Sequence, residues 1–154
     1  LDAINEINNR VGEPKALSCI YKTSPWGFSA ESDFLNAVLV AETKLHPNEL
    51  IHQILSIEKK LGRERKNQNV YESRPMDIDI LFYGDRVINE PGLVIPHPRL
   101  HKRRFTLVPL NEVRPGLVHP VLGKPVSQLL KECEDMLDVH LFEKIHLEKI
   151  LKHK

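Results

Sequence analysis

Tyr71-Glu-Ser-Arg74-Pro-Met76-Asp77-Ile78-Asp79-Ile80-Leu81-Phe82-Tyr83 is the stretch around which the rest of the chain is arranged. Met76, Ile78, Ile80 and Phe82 alternate with Asp77, Asp79 and Leu81, and a period of two predicts a β-strand. Side chains two apart on a strand share a face, so Asp77 and Asp79 point the same way, about 7 Å apart at Cβ. Two carboxylates that close repel, and burying them unpaired is costly. A divalent, oxygen-seeking ion such as Mg²⁺ suits the pair, because it binds through one or two carboxylates plus substrate phosphates. Arg74, three residues upstream, adds a fixed charge able to hold a phosphate through two hydrogen bonds. The plain alternative is an exposed strand face whose acids pair with lysines.

Working outward, Pro47 to Leu61 predicts a helix, with Pro47 at its first position and Gly62 as its C-terminal stop. Leu50, Ile54, Ile57 and Leu61 form its buried stripe, and Glu58 lies beside them. Lys59, Lys60, Arg63, Arg65 and Lys66 crowd the helix exit, either as a solvated basic face or as a phosphate-binding rim. Leu1, Ile4, Ile7 and Val11 recur at helical spacing before Gly12. Alternation predicts strands over Ala16–Thr23 and Phe34–Thr43, able to pair as a hairpin across a long loop that carries Trp26. Beyond the acidic strand, Tyr83–Arg86 reads as a turn and Val87-Ile88 as the start of a short strand. Arg99, Lys102, Arg103 and Arg104 make a second basic cluster, followed by a core element over Phe105–Leu110. Val126–Leu137 and His140–Leu151 read as helices, with His140, His146 and His153 on the surface of the tail.

The chain's 154 residues are enough for one domain with a real core. A net charge of +1 argues against a dedicated nucleic-acid binder, which is usually strongly basic. No apolar run approaches the ~20 residues a membrane span needs. Cys19 and Cys133 have no metal spacing, so free thiols in a reducing cytoplasm are expected. Two basic clusters flanking an acidic pair suit a polyphosphate, whose transfer needs positioning and charge stabilisation. No glycine-rich P-loop is present.

Arg74-Pro-Met-Asp77-Ile-Asp79-Ile-Leu-Phe-Tyr-Gly84, followed by Ile95-Pro-His97-Pro and Arg103-Arg-Phe105, resembles the 6-hydroxymethyl-7,8-dihydropterin pyrophosphokinase family of folate biosynthesis. Tyr21-Lys-Thr23-Ser-Pro-Trp-Gly27 and Asp33-Phe-Leu-Asn36-Ala resemble that family's pterin loop and the strand after it. The likeness covers about residues 1 to 137 and rests on several spaced motifs in order. It implies transfer of the β,γ-pyrophosphate of ATP to the pterin's hydroxymethyl oxygen, releasing AMP. It implies that Asp77 and Asp79 hold two Mg²⁺ ions and act catalytically with Arg74 and Arg103. Nucleotide contacts would come from Glu58, Arg63, Arg65, Tyr71, Arg74, Ile80, His97 and Arg103. Phe34 and Phe105 would sandwich the pterin, Asn36 would read its amide edge, and Thr23, Ser24 and Trp26 would line the rest. Plain core packing is the alternative for the two phenylalanines.

The same resemblance implies an α+β fold: a ferredoxin-like antiparallel sheet with helices packed on it, plus C-terminal helices, in a single domain over residues 1–154. It implies a cytoplasmic monomer whose partners are ATP and the pterin, with no nucleic acid or membrane. The sequence departs from the family at Tyr71, where many relatives carry Trp or another residue, and the loop over 66–73 is a residue longer than in some. Gly92 and Val94 stand where certain relatives make polar nucleotide contacts. The family opens with a strand carrying Gly-Ser-Asn, whereas Leu1 lies within the following helix, so upstream residues are expected. Two other classes compete. A metal-dependent glycosyltransferase could use Asp-x-Asp to hold a nucleotide sugar, but it needs a longer run of alternating strands and helices. A ferredoxin-like RNA-binding module should carry aromatic and basic residues on its strands, where this chain has acids.

Overall fold

The structure, a computed structural model, describes residues 1–24, 33–67 and 76–151, and for 63–67 the backbone alone. Helix α1 (Asp2–Arg10) leads into β1 (Gly12–Leu17) and β2 (Ile20–Ser24). Then follow β3 (Phe34–Asn36), β4 (Leu39–Thr43), α2 (Pro47–Asn67), β5 (Ile88–Glu90) and β6 (Leu93–Ile95). A 3-10 turn over Leu100–Lys102 precedes α3 (Arg104–Val113), α4 (Val126–Glu132), β7 (Asp138–Glu143) and α5 (Leu147–Leu151). Helices and antiparallel strands are mixed, as an α+β reading expects.

The expected hairpin forms, but each predicted strand is broken in two. β1 pairs with β4 from Gly12↔Thr43 to Leu17↔Leu39, and β2 pairs with β3 from Tyr21↔Asn36 to Thr23↔Phe34. Ser18 bridges the break. Its amide donates to the Val38 carbonyl at 2.9 Å and its hydroxyl accepts the Val38 amide at 2.8 Å, inside the protein. Gly12 does not merely end α1: a Cβ there would collide with the Glu42 carbonyl oxygen of the paired strand.

Gly62 does not stop α2, which runs on to Asn67. It is not among the glycines with positive φ, so the left-handed turn that ends many helices does not form there. The mid-helix glycine costs about 1 kcal/mol relative to alanine. Flanking core contacts offset this, since Ile57 is fully buried and Leu61 nearly so. Glu58 therefore sits inside the helix, and the basic run lies on its last turns.

The tail also differs from expectation. α4 ends at Glu132, because Asp135 is drawn to the start of α3, accepting the Arg104 amide at 3.0 Å. His140 lies in a strand, β7, which pairs antiparallel with the outer edge of β2 (Lys22↔His140, Thr23↔Val139). That edge's backbone groups need partners, and a strand supplies them where a helix cannot. Only Leu147–Leu151 of this segment is helical.

The central stretch behaves as a strand in its side chains but not in its pairing. Met76, Ile78 and Ile80 are half-buried, Asp77 and Asp79 exposed. Among the described residues, however, 76–82 pairs with no strand. Three clusters hold it instead. Met76 and Ile78 pack on Ile7, Ile57 and Leu61 between α1 and α2. Ile80 packs on Ile88, Leu93 and Ile95 of the β5–β6 hairpin. Leu81 and Phe82 pack on Leu100, Leu107, Leu110 and Val126 under α3 and α4. One extended segment thus joins the apolar clusters and presents its two carboxylates outward.

Candidate functional site

Asp77 and Asp79 project from this segment, and among the described residues neither pairs with a lysine or arginine. The alternative of acids neutralised by lysines is therefore not what the described residues form. His97 Nε2 lies 3.9 Å from Asp79 Oδ2. Its Nδ1 accepts the Arg99 amide at 3.1 Å, which leaves Nε2 to carry the proton of the neutral ring and aim it at Asp79. Burial holds His97 below the ordinary histidine value; Asp79 pulls upward, and Arg103 and Arg99 push further down. The segment and the His97 loop are laced together by the His97 amide, which donates to the Leu81 carbonyl at 2.9 Å.

Arg103 follows on the same arc. It precedes the first turn of α3, and its guanidinium lies 5.5 Å from the centre of the Phe105 ring. Phe105 meets Phe34 edge-on, with ring centres 5.3 Å apart and planes at 87°. Across the strand pair, Tyr21, Thr23, Phe34 and Asn36 stand on one face, because Thr23↔Phe34 and Tyr21↔Asn36 are opposed and each couple is two residues apart. Thr23 is fully buried, yet among the described residues its Oγ1 has no hydrogen-bond partner, and neither has the buried Asn36 Nδ2. A buried polar atom without a partner costs about 1–3 kcal/mol. Two of them, facing the same way beside two aromatic rings, are what a flat heterocycle with donor and acceptor edges would satisfy.

The expected residues thus fall into an acidic end (Asp77, Asp79, His97) and an aromatic end (Phe34, Phe105, Thr23, Asn36), with Arg103 between. Ser24 closes β2, half-buried, and Ile80 lies half-buried against the β5–β6 hairpin. Glu58 is turned to the acidic end, where its Oε1 accepts the Ile78 amide at 2.9 Å. Trp26, Tyr71 and Arg74 lie outside the described residues, as do the side chains of Arg63 and Arg65. The phenylalanines touch each other rather than standing apart. A planar ring between them needs roughly 7 Å between ring centres, twice an ordinary carbon contact, so they would have to part by about 2 Å and turn parallel.

Two supporting residues were not legible beforehand. Glu112 on α3 accepts the Cys19 amide (3.0 and 3.2 Å) and the Tyr21 hydroxyl (2.6 Å), tying α3 to β2. Asp135 caps α3 just where Arg103 and Phe105 emerge. As for a metal, the donors on offer are two exposed carboxylates. No group of three or more His, Cys, Asp or Glu side chains gathers among the described residues. That set fits a hard cation such as Mg²⁺, which leaves much of its shell to water and phosphate oxygens, and it does not fit zinc. No helix among the described residues is long and apolar enough to cross a membrane.

The chain matches the family model described as 7,8-dihydro-6-hydroxymethylpterin-pyrophosphokinase over residues 1–115. It is similar to the 2-amino-4-hydroxy-6-hydroxymethyldihydropteridine pyrophosphokinase of Aquifex aeolicus (strain VF5), at 41% identity over 120 residues, 78% of this chain and 74% of that protein. The protein of the same description from Haemophilus influenzae is 36% identical over 135 residues, covering 88% of this chain and 81% of its own length. A folic acid synthesis protein of Pneumocystis carinii is 37% identical over 137 residues, which is 88% of this chain but 18% of that longer protein.

Proposed function

The chain belongs to the 7,8-dihydro-6-hydroxymethylpterin-pyrophosphokinase family, and from that premise we propose that it carries out the reaction in the family's name. ATP gives up its β,γ-pyrophosphoryl group to the hydroxymethyl oxygen of 6-hydroxymethyl-7,8-dihydropterin. The pterin oxygen bonds to the β-phosphorus and sheds its proton. The bond from that phosphorus to the α,β-bridging oxygen breaks, and AMP leaves with that oxygen.

The observation that carries this reading is one arc of contacts. Asp79 meets His97, and Arg103 stacks on Phe105, which meets Phe34 beside Thr23 Oγ1 and Asn36 Nδ2, both without a partner among the described residues. Thr23 Oγ1 and Asn36 Nδ2 would bond the pterin's edge while the phenylalanines stack on its faces, fixing the hydroxymethyl group toward Arg103. Arg103, and Arg74 upstream of the acidic pair, would take up charge on the moving phosphoryl oxygens. Asp77 and Asp79 would hold Mg²⁺, two ions by analogy with two-metal sites. When bound, such ions neutralise the polyphosphate and polarise the β-phosphoryl oxygens. Ile80 and His97 would contact the nucleotide, with Arg63, Arg65 and Tyr71. The same reading implies a monomer working in the cytoplasm and a ferredoxin-like sheet, of which the β1–β4 hairpin is the part that supports it.

The test mixes protein, Mg²⁺, ATP and the pterin and follows nucleotide products. AMP should form with wild type. Asp77→Asn and Asp79→Asn should each lose most of it while keeping their circular dichroism and melting. ADP as product, or either variant turning over like wild type at saturating Mg²⁺, refutes the reading.

A further inference from the structure

We propose that Glu58 is a positioning residue for Asp77 and Asp79, acting through the backbone amide that lies between them rather than by touching nucleotide. The Ile78 N–H donates to Glu58 Oε1 at 2.9 Å, joining helix α2 to the acidic segment. Among the described residues 76–82 pairs with no strand, and the Glu58 bond is one of the contacts that set its register and rotation there. Among the described residues a second hydrogen-bond tether is the Leu81 carbonyl, three residues further on, which accepts the His97 amide.

A slip of one residue along an extended segment turns every side chain to the opposite face. Here it would swing Asp77 and Asp79 into the apolar cluster and Ile78 out of it. The Glu58 bond forbids that slip at the one amide flanked by both acids. Ile78 reinforces it by packing on Ile57 and Leu61 of the same helix. The placement of Glu58 suits this task. It is half-buried beside the stripe of Ile54, Ile57 and Leu61, where a carboxylate needs a donor. It lies mid-helix, so the helix end supplies none.

The functional consequence rests on the metal reading above, while the anchor itself does not. Two variants separate acceptor from charge. Glu58→Gln keeps an amide oxygen for Ile78; Glu58→Leu offers none, with Glu58→Ala as its substitute should the leucine variant not fold. The first readout is hydrogen exchange of the Ile78 amide by NMR, without ligand. The second is Mn²⁺ affinity with a non-hydrolysable ATP analogue, by electron paramagnetic resonance. Wild type and Glu58→Gln should protect Ile78, and Glu58→Leu should not. Mn²⁺ affinity should fall about 10- to 100-fold in Glu58→Leu, the usual effect of removing a ligand's support, and recover in Glu58→Gln. Pterin affinity should be unchanged in both. Unaltered Ile78 exchange in Glu58→Leu overturns the anchor. A Glu58→Gln variant as weak for Mn²⁺ as Glu58→Leu overturns it too, since charge rather than hydrogen bonding would then be at work. Wild type that takes up no Mn²⁺ with the analogue sinks the metal reading itself, and Ile78 exchange still decides whether Glu58 anchors the segment.

Discussion

Replacing Glu112 with alanine should loosen the proposed pterin end of the site from a distance. Both carboxylate oxygens accept the Cys19 amide, and Oε1 also accepts the Tyr21 hydroxyl at 2.6 Å. Cys19 lies at the break between β1 and β2, and Tyr21 shares its face with Thr23 and Asn36. Hydrogen bonds to a charged group contribute about 1.5–3 kcal/mol each when shielded. Glu112 is exposed, so water can replace part of what is lost, and about 2 kcal/mol for the whole clamp is the reasoned figure. For a chain of this size that lowers Tm by about 4–8 °C. Urea unfolding should show the midpoint move at constant slope, and pterin affinity should fall as β2 loses its strut. Tyr21→Phe should destabilise less alone and add almost nothing on top of Glu112→Ala. A coupling above about 0.5 kcal/mol in that cycle marks a shared bond. Strict additivity, or Glu112→Ala melting with wild type, refutes the clamp.

Burial, then the hydrogen bond and charge of Glu112, hold the Tyr21 phenol well above the ordinary tyrosine value. Its folded pKa is raised, so the stability it contributes is complete below pH ~10 and is lost as pH rises past that. Ultraviolet titration should show a late phenol that is absent in Tyr21→Phe, whose stability should be flatter above pH ~10. Phe34→Leu and Phe105→Leu should each weaken pterin binding by about 0.5–1.5 kcal/mol without moving ATP affinity, read by calorimetry; equal loss for both ligands would contradict stacking. Asp135→Ala removes the cap of α3 and should cost about 0.5–2 kcal/mol in thermal unfolding, with Asp135→Asn recovering most of it.

Local patterns were legible and distant partnerships were not. The alternation over Met76–Ile80 put Asp77 and Asp79 on one shared face, and in the structure both are exposed while Met76, Ile78 and Ile80 are half-buried. The helix start at Pro47 and the hairpin of 16–23 with 34–43 also followed from short-range signals, although the first strand begins earlier, at Gly12. Gly62 misled because core contacts on Ile57 and Leu61 outweigh a glycine's local cost. The tail misled because Val139, His140 and Leu141 have no helical or strand character strong enough to announce the edge of β2. Glu112 and Asp135 left no trace in the local sequence: their partners lie 93 and 31 residues away. In the site, the acidic pair and the aromatic pair were both named from sequence, while the contact between Phe34 and Phe105 needed the packing of α3 on β3.

Both terminal phosphates of ATP should travel together. ATP labelled in turn at its α-, β- and γ-phosphorus, incubated with protein, Mg²⁺ and 6-hydroxymethyl-7,8-dihydropterin, tests it most directly. β- and γ-label should appear together on the pterin and α-label alone in AMP. Label on the pterin from the γ position only, with β-label left in ADP, would contradict it.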